Sequence, residues 1–150
     1  MRVSREEYQQ MLVTELHKIY SDETVDHALK PRNMGNIDIA SGYASVTGPC
    51  GDTMEIWLSV DNKIIAEATF MTDGCVTTIA AGSMVTEMVK GKPVEEAMRI
   101  GQQDILRALN GLPEESKHCA LLAANTLKEA IIDYYEYSHD KWKRSYKKQW

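Results

Sequence analysis

The chain runs to 150 residues, 43% of them hydrophobic, with 17 Lys and Arg against 22 Asp and Glu and a net charge of −5. That length suits one domain with a real core, and the acidic balance excludes a general nucleic-acid binder, whose phosphate contacts need a cationic face. No apolar run approaches the ~18–20 residues of a membrane-spanning helix, and Met1-Arg2-Val3-Ser4-Arg5-Glu6-Glu7 lacks the apolar core of a signal peptide, so a cytoplasmic protein with no membrane or nucleic-acid partner is expected.

Residues 5–19 carry Tyr8, Met11, Leu12, Leu16 and Ile19 at three-to-four spacing, which predicts an amphipathic helix. Its Met11, Leu12, Leu16 stripe is expected to be a packing face. Ser21 or Asp22 is placed to cap a second short helix holding Val25, Ala28 and Leu29, and Pro31 stops it. Pro31-Arg32-Asn33-Met34-Gly35-Asn36 reads as a loop with Met34 exposed.

A β section follows. Residues 43–47 predict a first strand. Met54, Ile56, Leu58 and Val60 then alternate with Glu55, Trp57 and Ser59, a half-buried strand. Asp61-Asn62-Lys63 reads as a turn, after which Ile64, Ala66, Ala68 and Phe70 alternate with Ile65, Glu67, Thr69 and Met71. The last two strands should pair as an antiparallel hairpin, and the first should join them as a meander.

From Thr77 the period turns helical, with Thr77 or Thr78 as the expected cap and Ile79, Val85, Met88 and Val89 on one face. Gly91-Lys92-Pro93 ends that helix. Residues 94–100 and 103–109 predict two short helices split at Gly101, and residues 114–137 the longest one, with Ala120, Ala123, Ala124, Leu127, Ala130, Ile131 and Tyr134 as its buried stripe. Strands followed by helices give an α+β class, with a three-stranded, mainly antiparallel sheet against five to six helices.

The chemistry concentrates at His118-Cys119 and at the other two cysteines, which sit in the glycine-marked turns Gly48-Pro49-Cys50-Gly51-Asp52 and Asp73-Gly74-Cys75. Three thiols, one imidazole and one carboxylate make a set of soft metal donors if the turns converge. An odd cysteine count closes no disulfide framework and fits a reducing compartment. Cys75 precedes a helix start, where backbone N–H groups and the helix dipole favour a thiolate. The spacings are far longer than a zinc knuckle's, so the fold itself must assemble the site. Taken singly, each cysteine would more often be an inert packed thiol, and Asp52 a turn residue bonding local N–H groups. His17, His27 and His139 lack motif support and read as surface or core histidines.

With these residues named, the sequence resembles the IscU/NifU family of iron–sulfur cluster assembly scaffolds. The resemblance runs from about Tyr20 to Tyr137. It is carried by Pro31-Arg32-Asn33-Met34-Gly35, by the Cys50 and Cys75 turns, by Val85-Thr86-Glu87-Met88-Val89-Lys90-Gly91-Lys92 and by His118-Cys119-Ala120 with Leu122-Ala123. It implies a scaffold domain over residues 20–138, a helical extension over 1–19 and a basic tail over 139–150. It also implies a scaffold and carrier rather than an enzyme, building a transient [2Fe–2S] cluster from iron and desulfurase-derived sulfur and passing it to apo-proteins. In that reading Cys50, Cys75 and Cys119 hold the cluster, His118 and Asp52 are exchangeable ligands, and Cys119 accepts persulfide sulfur from a cysteine desulfurase. Carboxylate is a hard donor and imidazole can be protonated off its metal near neutral pH, so both favour release.

The chain departs from the family in one segment. Some members carry Leu-Pro-Pro-Val-Lys before the His-Cys pair, where Leu112-Pro113-Glu114-Glu115-Ser116-Lys117 stands here. The acidic replacement argues against docking of the specialised Hsp70-type chaperone pair that reads that segment. The tail's Lys141, Lys143, Arg144, Lys147 and Lys148 read as a solvated end, with Trp142, Tyr146 and Trp150 keeping a partner role open. Two rival functions remain at this level. One is a zinc-binding sulfur acceptor partnering a desulfurase, since zinc suits three thiols plus His or Asp and isolated protein can carry it. The other is a cysteine-nucleophile enzyme using Cys119 with His118, which adjacent helical positions about 100° apart disfavour.

Overall fold

The computed structural model describes residues 3–137. Its elements, in chain order, are α1 (Arg5–Ile19), α2 (Asp22–Leu29), β1 (Gly42–Thr47), β2 (Thr53–Asp61), β3 (Ile64–Thr72), α3 (Val76–Val89), α4 (Val94–Ala97), α5 (Gln102–Ala108) and α6 (Lys117–Tyr137), with a 3-10 turn at Glu114–Ser116 before α6. The expected α+β class is what forms. The three strands are antiparallel in the order β1-β2-β3. The basic tail, His139 included, lies outside the described residues.

Asn62 and Lys63 both adopt positive φ, at 52° and 65°, so the β2–β3 hairpin closes through a two-residue turn whose twist matches the strands. The strand β3 departs from the expected alternation. Ser59 pairs with Glu67 while Val60 pairs with Ile65, leaving Ala66 as the extra residue of a bulge. The inward set is therefore Ile65, Ala68 and Phe70, and Ile64 and Ala66, expected inside, face outward. A strict period of two cannot report an inserted residue.

One face of the sheet carries Met54, Ile56, Leu58, Ile65, Ala68 and Phe70 into a core completed by Ala80, Ala81, Val85 and Val89 of α3 and Ala120, Ala123, Leu127, Ala130 and Ile131 of α6. Small residues on both helices bring them close. At Gly82 a Cβ would overlap the Phe70 ring. The outer edge of β3 is closed by the predicted loop: Phe70 N–H donates to Asn33 O at 3.0 Å, and Gly35 N–H to Phe70 O at 2.9 Å. That loop is fastened to α3, where Ser83 Oγ meets Arg32 N at 2.9 Å and His27 Nδ1 at 2.7 Å, and Asn33 Nδ2 donates to Thr86 Oγ1 at 3.2 Å.

Two further expectations are corrected. α1 forms with Ser4 as its N-cap, but it buries no residue; Met11 and Leu12 are exposed and Leu16 only half-buried, so this stripe is not a packing face. Of the two cap candidates for α2, Ser21 takes the position, as expected, and fastens the helix to Leu109 O. α3 starts one residue early. Its N-cap is Cys75, with no side-chain cap bond, and Thr77 and Thr78 lie inside the first turn, buried.

Candidate functional site

The turn at residues 48–52 closes on itself, with Gly51 N–H donating to Gly48 O at 3.0 Å and Gly48 N–H to Asp52 O at 2.8 Å. Gly51 takes φ +89°, a value costly to a side-chain-bearing residue. This leaves Cys50 exposed at the tip. Gly48, at the base, packs beside Leu122 of α6, one helical turn beyond Cys119. The turn thus stands next to the start of α6.

Cys75 is exposed at the N-terminus of α3. Its thiol pKa is lowered, chiefly by a hydrogen bond from the Thr77 hydroxyl; burial opposes this, and the backbone N–H groups of Thr77 and Thr78 and the Thr78 hydroxyl each add a smaller lowering. The sequence reading placed a thiolate-favouring helix start here, and the shift has that direction. Cys119 comes from the first turn of α6 and is nearly sealed, at 2% exposure. Gln102 Nε2 donates to Lys117 O at 3.0 Å and holds that helix start in place.

Two threonines join these groups. Thr77 Oγ1 lies 3.5 Å from Cys75 Sγ and 3.2 Å from Cys119 Sγ. Thr78 Oγ1 lies 2.9 Å from Asp52 Oδ2 and 3.4 Å from Cys119 Sγ. A continuous path therefore runs Cys75–Thr77–Cys119–Thr78–Asp52. His118 adds to it: its Nε2 stands 3.7 Å from Cys119 Sγ, closer than their angular separation on a helix implied. Sequence reasoning missed both threonines as site residues. The sequence Cys75-Val76-Thr77-Thr78 was visible, but a threonine at a helix start is ordinarily a cap.

Four of the five expected donors, Asp52, Cys75, His118 and Cys119, are thus linked through hydroxyl groups or direct approach. Cys50 is not joined to them by any hydrogen bond among the described residues. Nor do any three His, Cys, Asp or Glu side chains of the described residues stand as a ready metal cage. The donor set nonetheless suits soft metal chemistry: three thiols, an imidazole and a carboxylate, drawn from a glycine-marked turn and two helix starts. A groove of about 1400 Å³ between the outer edge of β1 and α6, lined by Tyr43, Trp57, Glu129 and Ile132 among others, contains none of these residues. Cys50 and Cys75 sit instead at the molecular surface, where a second macromolecule can reach them, while Cys119 is buried.

Over most of its length the chain is similar to known proteins. The family model for the NifU-like N terminal domain matches residues 19–141. The iron-sulfur cluster assembly scaffold protein IscU 1 of Archaeoglobus fulgidus is 46% identical over 118 residues, covering 78% of this chain and 77% of that protein. The scaffold protein IscU of Escherichia coli is 42% identical over 121 residues, covering 77% of this chain and 93% of that protein. Among solved structures, a nitrogen-fixing NifU-like protein (N-terminal) from Brucella abortus superposes with a TM-score of 0.64 at 20% identity, covering 81% of this chain and 97% of that one, a likeness of fold.

Proposed function

The chain belongs to the NifU-like N-terminal domain family, and from that premise we propose that it is a scaffold on which an iron–sulfur cluster is assembled and from which it passes to acceptor proteins. It is a carrier rather than an enzyme. The observation that carries this reading is the Cys75–Thr77–Cys119–Thr78–Asp52 path with His118 beside Cys119. It gathers sulfur, oxygen and nitrogen donors from three elements, with Cys75 exposed and Cys119 buried.

In detail, Cys50, Cys75 and Cys119 supply three thiolates to a [2Fe–2S] cargo, and Asp52 or His118 supplies a replaceable fourth ligand. Cys50 reaches the others by inward closure of its turn as iron binds. Cys119 takes up sulfur from a cysteine desulfurase: its thiolate attacks the outer sulfur of the donor persulfide, and the donor thiolate leaves. A reducing compartment, the cytoplasm, keeps these thiols available. The Hsp70-type chaperone pair is not part of the proposal. Leu112 is buried, Glu114 and Glu115 are exposed and Glu114 pairs locally with Lys117 at 2.7 Å, so the segment before His118 presents carboxylates.

The test is anaerobic incubation with ferrous iron, cysteine and a desulfurase, followed by addition of an apo-ferredoxin. Visible absorption that appears and then moves to the ferredoxin is the expected result. Tight zinc binding with no chromophore would instead favour a zinc-linked sulfur acceptor, a second reading to which three thiols plus imidazole or carboxylate are equally suited.

A further inference from the structure

Buried threonines inside these helices usually satisfy their hydroxyls locally. Thr86 of α3 and Thr126 of α6 each return the hydroxyl hydrogen to the carbonyl four residues earlier, Gly82 O at 2.9 Å and Leu122 O at 2.7 Å. Thr78 does not. The carbonyl four residues before it belongs to Gly74, yet its hydroxyl reaches out of the helix to Asp52 Oδ2 at 2.9 Å and Cys119 Sγ at 3.4 Å. Thr78 is fully buried, so water does not compete for that hydrogen.

A hydroxyl owns one hydrogen, and a carboxylate can only accept. Asp52 and the Cys119 sulfur are therefore rivals for a single donor. Room for this arrangement is made by Gly74, where a Cβ would fall 2.6 Å from Thr78 Cβ and 2.7 Å from its Oγ1. Any larger residue at that position would push the hydroxyl away from its two partners.

We propose that Thr78 is a positioning residue that holds Asp52 off the sulfur site and, when Asp52 leaves, turns its O–H onto Cys119 Sγ. The proposal rests on the reading of Asp52 and Cys119 as cluster ligands and adds a coupling between them. In the resting protein Asp52 takes the shorter of the two bonds. When the carboxylate departs to bind iron it gives up Thr78, and the freed O–H faces a sulfur with almost no access to water, for which it becomes an undivided hydrogen-bond donor. Arrival of the oxygen ligand and preparation of Cys119 are thereby linked without any helix having to move.

The test uses the metal-free protein and iodoacetamide at one fixed pH, with labelling of Cys119 followed by mass spectrometry. Asp52→Ala is combined with Thr78→Val, which keeps the volume and removes the hydroxyl, and with Thr78→Ser, which keeps the hydroxyl. Asp52→Ala removes a nearby negative charge in every background, so it accelerates labelling in all of them. The expected coupling is a further acceleration of about threefold or more when residue 78 carries a hydroxyl than in Thr78→Val. Equal acceleration in all backgrounds overturns the proposal, as does a Thr78→Ser protein that behaves like Thr78→Val while melting like the wild type. Reconstitution of wild-type protein with iron and sulfide separates the two levels. A chromophore without coupling removes the Thr78 role alone, whereas coupling without a chromophore supports the shared hydroxyl and removes the scaffold reading.

Discussion

Cys75 and Cys119 share Thr77 but meet water very differently, the first exposed and the second sealed. The hydroxyl at Thr77 is the leading cause of the lowered Cys75 pKa. Removing it with Thr77→Val should raise that pKa, reduce the thiolate fraction at neutral pH and slow Cys75 alkylation; an unchanged rate would assign the shift to the backbone N–H groups and the Thr78 hydroxyl. In the proposed scaffold Asp52 is a hard donor to iron–sulfur cargo, and it has Thr78 as an alternative partner. Asp52→Ala should therefore lengthen the lifetime of a reconstituted cluster severalfold, followed by loss of visible absorption, and equal or faster decay would refute this role. At this scale the donors were legible because glycine-marked turns and a His-Cys pair announce themselves in the chain. The threonines were not, because what a hydroxyl bonds depends on residues about 40 positions away, as Thr78 does on Cys119.

Helix and strand periods carry the elements well, since each reflects which face meets the core. They fail where one residue is added or where a turn changes type. Ala66 slips out of the β2–β3 ladder and reverses the side of Ile64, and Glu114–Ser116 winds as a 3-10 turn where a continuous helix was expected. The connection between α2 and the loop at residues 31–35 makes a pH-dependent element. His27 is held by Ser83, and its pKa is lowered chiefly by burial and then by the Arg32 charge. The unfolded chain thus takes up a proton at His27 more readily than the folded protein does. The associated stability is present above the ordinary histidine value near 6.5 and is lost as pH falls through and below it. Melting temperature should drop between pH 7 and 5, and His27→Gln should flatten that slope; an equally steep slope in the variant would exclude His27 as its source.

For the molecule as a whole, the sheet, α3 and α6 form one core that places the Cys75 and Cys119 helix starts side by side, with Phe70 and Gly82 in contact at its centre. Gly82→Ala would force a methyl into the Phe70 ring and should cost about 1–3 kcal/mol, whereas Phe70→Ala should cost about 3–5 kcal/mol, both measurable by denaturant unfolding. By contrast, α1 buries no residue, so a chain lacking residues 1–16 should melt within about 3 °C of the full chain. Sequence alone placed the α+β class and the donors. It could not say how far the Cys50 turn stands from the others, because that depends on how a surface turn packs beside α6. The most direct measurement is anaerobic reconstitution with ferrous iron and sulfide, assayed by visible absorption and by iron and acid-labile sulfide content, for the wild type and for Cys50→Ala, Cys75→Ala and Cys119→Ala. Wild-type protein is expected to acquire the chromophore with iron and sulfide in equal amounts, and each substitution to lose most of it. A wild type that takes up no sulfide, or three variants that keep the full chromophore, would contradict a cluster built on these thiols.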